Sequence, residues 1–427
     1  MGRENLNPQE PTVLQPAPAP SMTAEPAAVG MDAGRLARID RHFARYVEQG
    51  RLVGWQVVLA RHGEVVHASV HGQRDREAGL GVEADTLWRI YSMTKPITSV
   101  AALSLLEEGA FELTDPVSRY IPSFADVRVW VGGSAQAPRT VPATEPVRMW
   151  HLLSHTSGLT YGFMNAHPVD TIYRENGFDF GTARGLDLAA CADAWAGMPL
   201  LFQPGAQWSY SVATDVLGRV LEVLDGATLD EVLAKRVLGP LGMSQTRWSV
   251  DATDAGRLAA LYAPQPGTGE AVRLDAVGQA ALRPPAMFSG GGGLVSTAGD
   301  YLRFCEVLRR GGELDGVRVL GPRTLAYATR NHLPGGRSLA DYGSGQFSEV
   351  AYDGVGFGLG FAVTVDPAAG KTVSSPGEYT WGGAASTAFW VDPVEDLVAV
   401  FMTQLLPSST YPIRTQLRTL VHQALLD

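Results

Sequence analysis

Strand-like runs stand near both ends of this 427-residue chain with helical periodicity between them, and that distribution restricts the fold more than any other feature. Residues 54–60 and 64–71 read as two strands joined by Arg61-His62-Gly63, a hairpin signature. Further strand-like runs follow only much later, at 357–364, 387–391 and 397–403. Between them apolar residues recur at helical spacing over 149–153, 186–196, 213–224, 229–237 and 298–309, while amphipathic helices at 32–49 and 411–425 flank the whole. The expectation is an α+β chain: one sheet assembled from both termini, with a helical lobe inserted into it. The corresponding division is a flexible tail over 1–30, an α/β domain from 31–115 and 285–427, and a mainly helical domain over 116–284. Long aromatic-bearing loops are expected over 129–145 and 161–182, with Trp130, Tyr161, Phe163, Tyr173, Phe178 and Phe180 shaping an apolar pocket.

Composition excludes several functions. Hydrophobic residues make up 45% and charged residues 18%, as in ordinary globular proteins. The formal net charge of −10 comes without a basic patch, which argues against nucleic acid and against anionic membrane surfaces as partners. No apolar run is long and uninterrupted enough to span a bilayer. The first 29 residues are polar, then Pro- and Ala-rich, without an apolar signal core, and Leu6 breaks the myristoylation pattern begun by Gly2, so a cytoplasmic protein is expected. Cys191 and Cys305 sit in apolar helical contexts and read as buried, reduced thiols. No Cys/His cluster has metal-ligand spacing, so no metal and no cofactor is expected.

The chemistry begins at a lysine. The chain writes nearly all its 34 basic residues as Arg, yet places Lys95 three residues after Ser92. An arginine is always protonated, whereas a desolvated lysine can become neutral and act as a base. At a helix N-terminus, positions i and i+3 share a face, so Ser92 and Lys95 can meet. The helix dipole there favours a developing serine alkoxide, and its N–H groups are ready oxyanion donors. The helix is expected to run from Lys95 to about residue 108, with Pro96 in its first turn. Neither Lys235 nor Lys371 has a serine three residues before it.

Two other segments bear on this site. Trp208-Ser209-Tyr210-Ser211 follows a Pro204-Gly205 turn and precedes a helix, so Tyr210 sits at a loop edge. A tyrosine near Lys95 can pass protons, but as a base it needs a cationic neighbour to lower its pKa. Trp381-Gly382-Gly383 stands before a strand-like run, and its glycines permit close backbone approach to a ligand.

These three motifs, in this order, resemble the serine hydrolases of the β-lactamase/penicillin-binding-protein fold, and most closely the family VIII carboxylesterases. The segments 152–159, 238–243, 291–297 and 358–361 match the class C β-lactamase-like pattern as well, and the resemblance covers about residues 31–425. It implies an antiparallel sheet flanked by helices, with Ser92 as nucleophile, Lys95 as general base and Tyr210 as coupled acid/base. It further implies an oxyanion hole from the backbone N–H groups of Ser92 and Ala384, substrate contacts from Trp381, Gly382 and Gly383, and an acyl-serine intermediate formed from a small carboxylic ester. Two departures separate the chain from β-lactamases. Val212 stands where their tyrosine motif ends in Asn, and Trp381 replaces the lysine of their Lys-Thr-Gly motif. The missing cation favours an uncharged ester over a β-lactam carboxylate.

Alternatives within the fold are an amidase, a D-aminopeptidase or a weak β-lactamase; outside catalysis, the alternative is a penicillin-binding-like sensor. Other motifs are set aside. No G-x-S-x-G occurs. Ser289-Gly290-Gly291-Gly292-Gly293 lacks the Gly-Lys of a phosphate loop and reads as a tight turn bordering the cleft. Gly370-Lys371-Thr372 reads as a surface turn, and His155 as structural rather than a partner of neighbouring serines.

Overall fold

The computed structural model describes residues 17–180, 185–344 and 347–426. Eight strands build the main sheet: β1 (Gly54–Arg61), β2 (Glu64–Asp75), β3 (Leu80–Gly81), β4 (Val355–Phe357), β5 (Ala362–Thr364), β6 (Tyr379–Gly382), β7 (Ala388–Asp392) and β8 (Leu397–Thr403). Their order is β4-β5-β6-β7-β8-β1-β2-β3, and every neighbouring pair is antiparallel. The two ends of the chain meet at the β1–β8 ladder, which runs from Trp55 opposite Thr403 to Arg61 opposite Leu397. The β1–β2 hairpin closes through His62 (φ 55°) and Gly63 (φ 83°), the left-handed pair that a two-residue turn between twisted strands requires.

β1 and β8 are buried along their whole length because both sheet faces are covered. Side chains alternate across the sheet. Trp55, Val57, Leu59, Ala399 and Phe401 point into one core, shared with α1 (Ala33–Glu48) and the C-terminal helix Ile413–His422 through Leu36, Ile39, Phe43, Leu417 and Val421. Val58, Ala60, Val398, Val400 and Met402 enter the other, larger core, where Tyr301, Phe304 and Leu308 of the helix Ala298–Arg309 cover them. That core continues into α2 (Thr94–Glu107), α3 (Ala213–Asp225) and the helices around them. α2 is buried on nearly every side, which explains why its sequence shows little amphipathic contrast. The helices Ala298–Arg309 and Ile413–His422 are hereafter α4 and α5. Caps mark the starts: Asp32 accepts from the Arg35 N–H before α1, and Thr297 from the Asp300 N–H before α4.

Three expectations change. The run 357–364 is not one strand but the hairpin β4–β5. Its turn needs glycine: a Cβ on Gly358 would lie 2.2 Å from the Ala328 carbonyl oxygen, and one on Gly360 (φ 97°) 2.3 Å from Ser99. The expected loop over 129–145 contains a two-stranded hairpin, Arg128–Ser134 with Ala137–Pro142, whose glycines and prolines hide the strand pattern. Within the expected loop 161–182, Pro168–Glu175 is a helix begun by Pro168 at its first position, with the Asp170 carboxylate accepting from the His167 N–H; residues 181 and 182 lie outside the described residues. Of the expected tail, residues 1–16 lie outside the described residues. The part from Ala17 onward is tied down, with the Thr23 N–H donating to Val65 O and Met31 bridged to Leu425. Cys191 and Cys305 are buried and unbridged. No helix among the described residues is long and apolar enough to cross a membrane.

Candidate active site

Ser92 sits in a single 3-10 turn, Tyr91–Met93, that runs directly into α2. The turn is pinned from the far side of the chain: the Tyr301 hydroxyl donates to Met93 O (2.9 Å), and the Leu294 N–H donates to the Thr94 hydroxyl (3.2 Å). Tyr91 adopts φ 43°, a left-handed conformation that costs a non-glycine residue about 1 kcal/mol or more and persists only where its surroundings fix it.

The next turn brings Lys95 back to Ser92. Lys95 is 2% exposed, and its Nζ lies 3.4 Å from Ser92 Oγ, 2.9 Å from the Tyr161 hydroxyl and 2.6 Å from Gly291 O. Burial pulls its pKa down from 10.5 to about 8, with the carboxylates of Asp215 and Glu349 opposing the shift. The neutral amine is therefore accessible near physiological pH. Tyr210, from the loop before α3, donates its hydroxyl to Ser92 Oγ at 2.5 Å, and its ring lies 4.5 Å from Lys95 Nζ. Ser92, Lys95 and Tyr210, expected to meet from sequence, thus stand together.

The Tyr210 hydroxyl does not have the lowered pKa that a base would need. Burial pushes it well above the usual phenol range, Glu349 and Asp215 push the same way, and the Ser92 hydroxyl and Trp381 indole only partly oppose them. Tyr210 rests as a neutral phenol, a donor rather than a base. Its back packs on His155, whose ring is edge-on at 5.3 Å. His155 is buried with its pKa held well below normal by burial and by Lys95, and its Nδ1 faces Ser211 Oγ rather than Ser92.

Trp381, next to last in β6, has its indole edge-on to Tyr210 (5.2 Å) and to Phe357 (5.4 Å). Gly382 and Gly383 are both closely approached by protein atoms. A Cβ on Gly382 would lie 2.2 Å from the Arg414 guanidinium, and one on Gly383 would lie 2.4 Å from Ile90 O, two residues before the nucleophile. This contact brings the turn bearing Ala384, which is partly exposed, alongside the Ser92 segment. Arg414 holds that turn: its guanidinium donates to Gly383 O (2.9 Å) and Thr387 O (3.0 Å) and pairs with Glu349 (2.7 Å).

Several residues at the site escaped the sequence reading. Asp215 is 1% exposed and accepts from Ser289 Oγ (2.6 Å) and the Gly291 N–H (3.0 Å). It thereby fixes the glycine turn whose Gly291 carbonyl holds Lys95, and its position five residues after Tyr210, in the first turn of an apolar helix, was the available signal. Glu349 and Arg414 carried none. Among the loop aromatics, Tyr161 touches Lys95 and Phe163 stacks on Tyr161 at 4.8 Å. Tyr173 and Phe178 are instead fully buried in the core, Trp130 packs on His167, and Phe180 is largely exposed. Lys371 lies on an exposed turn, donating to the carbonyls of Ala368 and Ala369.

The family profile described as Beta-lactamase matches residues 39–423. The chain belongs to the beta-lactamase family. Within the family, it is 35% identical to Esterase EstB of Burkholderia gladioli over 399 residues, which is 89% of this chain and 93% of that protein. It is 36% identical to Protein Rv1367c of Mycobacterium tuberculosis over 363 residues, 84% of this chain and 88% of that one. Among solved structures, EstCE1, a hydrolase with promiscuous acyltransferase activity, superposes with a TM-score of 0.76 at 30% identity, covering 92% of this chain and 99% of its own. The fold is the β-lactamase/transpeptidase-like α+β fold.

Proposed function

We propose that this protein is a serine carboxylesterase of the family VIII type that hydrolyses small carboxylic esters through an acyl-Ser92 intermediate. The observation that carries the reading is the position of Ser92 Oγ, 2.5 Å from a phenol and 3.4 Å from a buried amine whose pKa is about 8. Esterase EstB and the hydrolase EstCE1, similar along most of the chain, support ester chemistry. Neutral Lys95 takes the Ser92 proton as Oγ bonds to the ester carbonyl carbon. The resulting oxyanion is received by the N–H groups of Ser92 and Ala384. Collapse breaks the carbon–oxygen bond to the alcohol, which leaves with a proton from Tyr210, and Lys95 returns that proton to Tyr210. Water then adds to the acyl carbon, losing its proton to Lys95; Ser92 regains a proton as the carboxylic acid departs. The sum is ester plus water to acid plus alcohol, with every step carried by side chains and backbone N–H groups.

Trp381, with Gly382 and Gly383, forms the wall where β-lactamases carry a lysine, which favours an uncharged substrate. On the division into an α/β domain (31–115 and 285–427) and a helical domain (116–284), Ser92, Lys95 and Trp381 belong to the first and Tyr210 to the second, so the site lies in the cleft between them. The test compares p-nitrophenyl esters of increasing acyl length with nitrocefin, using Ser92→Ala as control. Short acyl esters turned over faster than nitrocefin, with Ser92→Ala inactive, are expected; faster nitrocefin hydrolysis overturns the ester reading.

A further inference from the structure

Apart from the catalytic cluster, three side chains from separate parts of the chain converge where β6, β7 and α5 come together: Glu378 just before β6, Asp392 at the end of β7 and His422 at the end of α5. One ligand atom of each lies within 4.8 Å of the other two. Glu378 and Asp392 are 0% exposed, and the His422 side chain is 6% exposed. The intervals of 14 and 30 residues between them match no metal motif, so the grouping is not legible in the sequence.

The unusual feature is how the polar atoms are used. Glu378 Oε1 accepts from Arg418 Nε at 2.8 Å. Asp392 Oδ1 accepts from the N–H groups of Val394 (2.9 Å) and Glu395 (3.2 Å). His422 Nδ1 lies 2.9 Å from Arg418 O, and a carbonyl can only accept, so Nδ1 carries the hydrogen. The three remaining atoms, Glu378 Oε2, Asp392 Oδ2 and His422 Nε2, make no hydrogen bond. With the hydrogen on Nδ1, the neutral imidazole presents a lone pair at Nε2. Three buried acceptors therefore face one another with only the Ser375 hydroxyl near Asp392 as a further donor, a costly arrangement unless a cation fills the gap.

A proton on Nε2 does this incompletely. It has one direction to point in, its nearest carboxylate oxygen, Asp392 Oδ2, is 3.5 Å away, and Glu378 Oε2 still lacks a donor. A metal ion accepts from all three at once. Ligands at zinc bond lengths in tetrahedral geometry are separated by about 3.4 Å, close to the His422–Asp392 separation of 3.5 Å. The second partner on each residue, including the histidine N–H bound to a backbone carbonyl, is the arrangement that orients ligands around metals.

We propose that Glu378, Asp392 and His422 form a binding site for one divalent transition cation of the zinc type, which ties the C-terminal helix to β6 and β7. Arg418 stays on Glu378 Oε1 and offsets part of the carboxylate charge. His422, the most exposed of the three, is the side where the ion enters. The site is independent of the esterase reading, and its role is to stabilise the fold.

The test uses the full chain stripped with a chelator, then equilibrated with Zn2+ at pH 8 and dialysed. The wild type is expected to retain about one more Zn2+ per chain than His422→Gln or Asp392→Asn. It is also expected to melt higher with Zn2+ than without, a shift both variants lose. Should either variant fail to fold, Co2+ added to the stripped wild type gives the visible absorption of a tetrahedral site if the proposal holds. Its absence, or equal zinc retention in wild type and variants, overturns the proposal. So does a melting temperature that ignores Zn2+ but rises as pH falls through the histidine range, which assigns the gap to a proton.

Discussion

Arg414→Met tests how the oxyanion turn is held. Arg414 pairs with Glu349, whose side chain is only 1% exposed, and the same guanidinium donates to Gly383 O and Thr387 O. Without Arg414, the Glu349 carboxylate keeps the Ser408 hydroxyl at 2.9 Å but loses its ion-pair partner. Breaking a buried pair from one side costs about 3–5 kcal/mol, because the charge left behind is desolvated. At roughly 2 cal/mol/K of unfolding entropy per residue, that loss lowers Tm by roughly 3–6 °C for a chain of this size. Adding Glu349→Gln removes the stranded charge, so the double variant should be more stable than Arg414→Met alone. Urea denaturation of the four proteins of this cycle gives the energies, and kcat should fall more than KM changes, because the turn bearing Ala384 acts on the transition state. An Arg414→Met loss below about 1 kcal/mol, or a double variant less stable than the single, refutes the reasoning.

Other consequences are equally direct. Lys95 must be neutral to act as base, and burial lowers its pKa to about 8, so kcat/KM should rise with pH through about 8; Asp215→Asn removes a carboxylate that favours the ammonium, and the acid limb should move to lower pH. A pH profile of Asp215→Asn unchanged or moved upward contradicts that assignment. Tyr210→Phe removes the hydroxyl that donates to Ser92 and should lower kcat by about 10²–10⁴, read on a p-nitrophenyl ester at saturating substrate. Gly382→Ala drives a methyl group against the Arg414 guanidinium, 2.2 Å from the added carbon, and should cost about 1–3 kcal/mol of stability by thermal or urea unfolding.

What the sequence revealed and what it hid divide along the range of the interactions. Ser92 and Lys95 were legible because one helical turn fixes their relation, and Tyr210 because a turn and a helix start bracket it. β8 was readable as a continuous apolar run because both its faces are buried. The hairpin β4–β5 was not, because its glycines answer to Ala328 and Ser99, contacts far away in the chain. Asp215, Glu349 and Arg414 act on the site through partners 27 to 76 residues away, and no local pattern records such pairings. The resting state of Tyr210 was not legible for a related reason: burial sets it, and burial is a property of the packed molecule.

The central claim is that Ser92 carries the acyl group. Intact-protein mass spectrometry after rapid quenching of the reaction with a slowly deacylating p-nitrophenyl ester tests it most directly, with peptide mapping to locate the adduct. The account predicts one acyl group per chain on the peptide containing Ser92, and none on Ser92→Ala. An adduct on any other residue, or undiminished ester hydrolysis by Ser92→Ala, would contradict it.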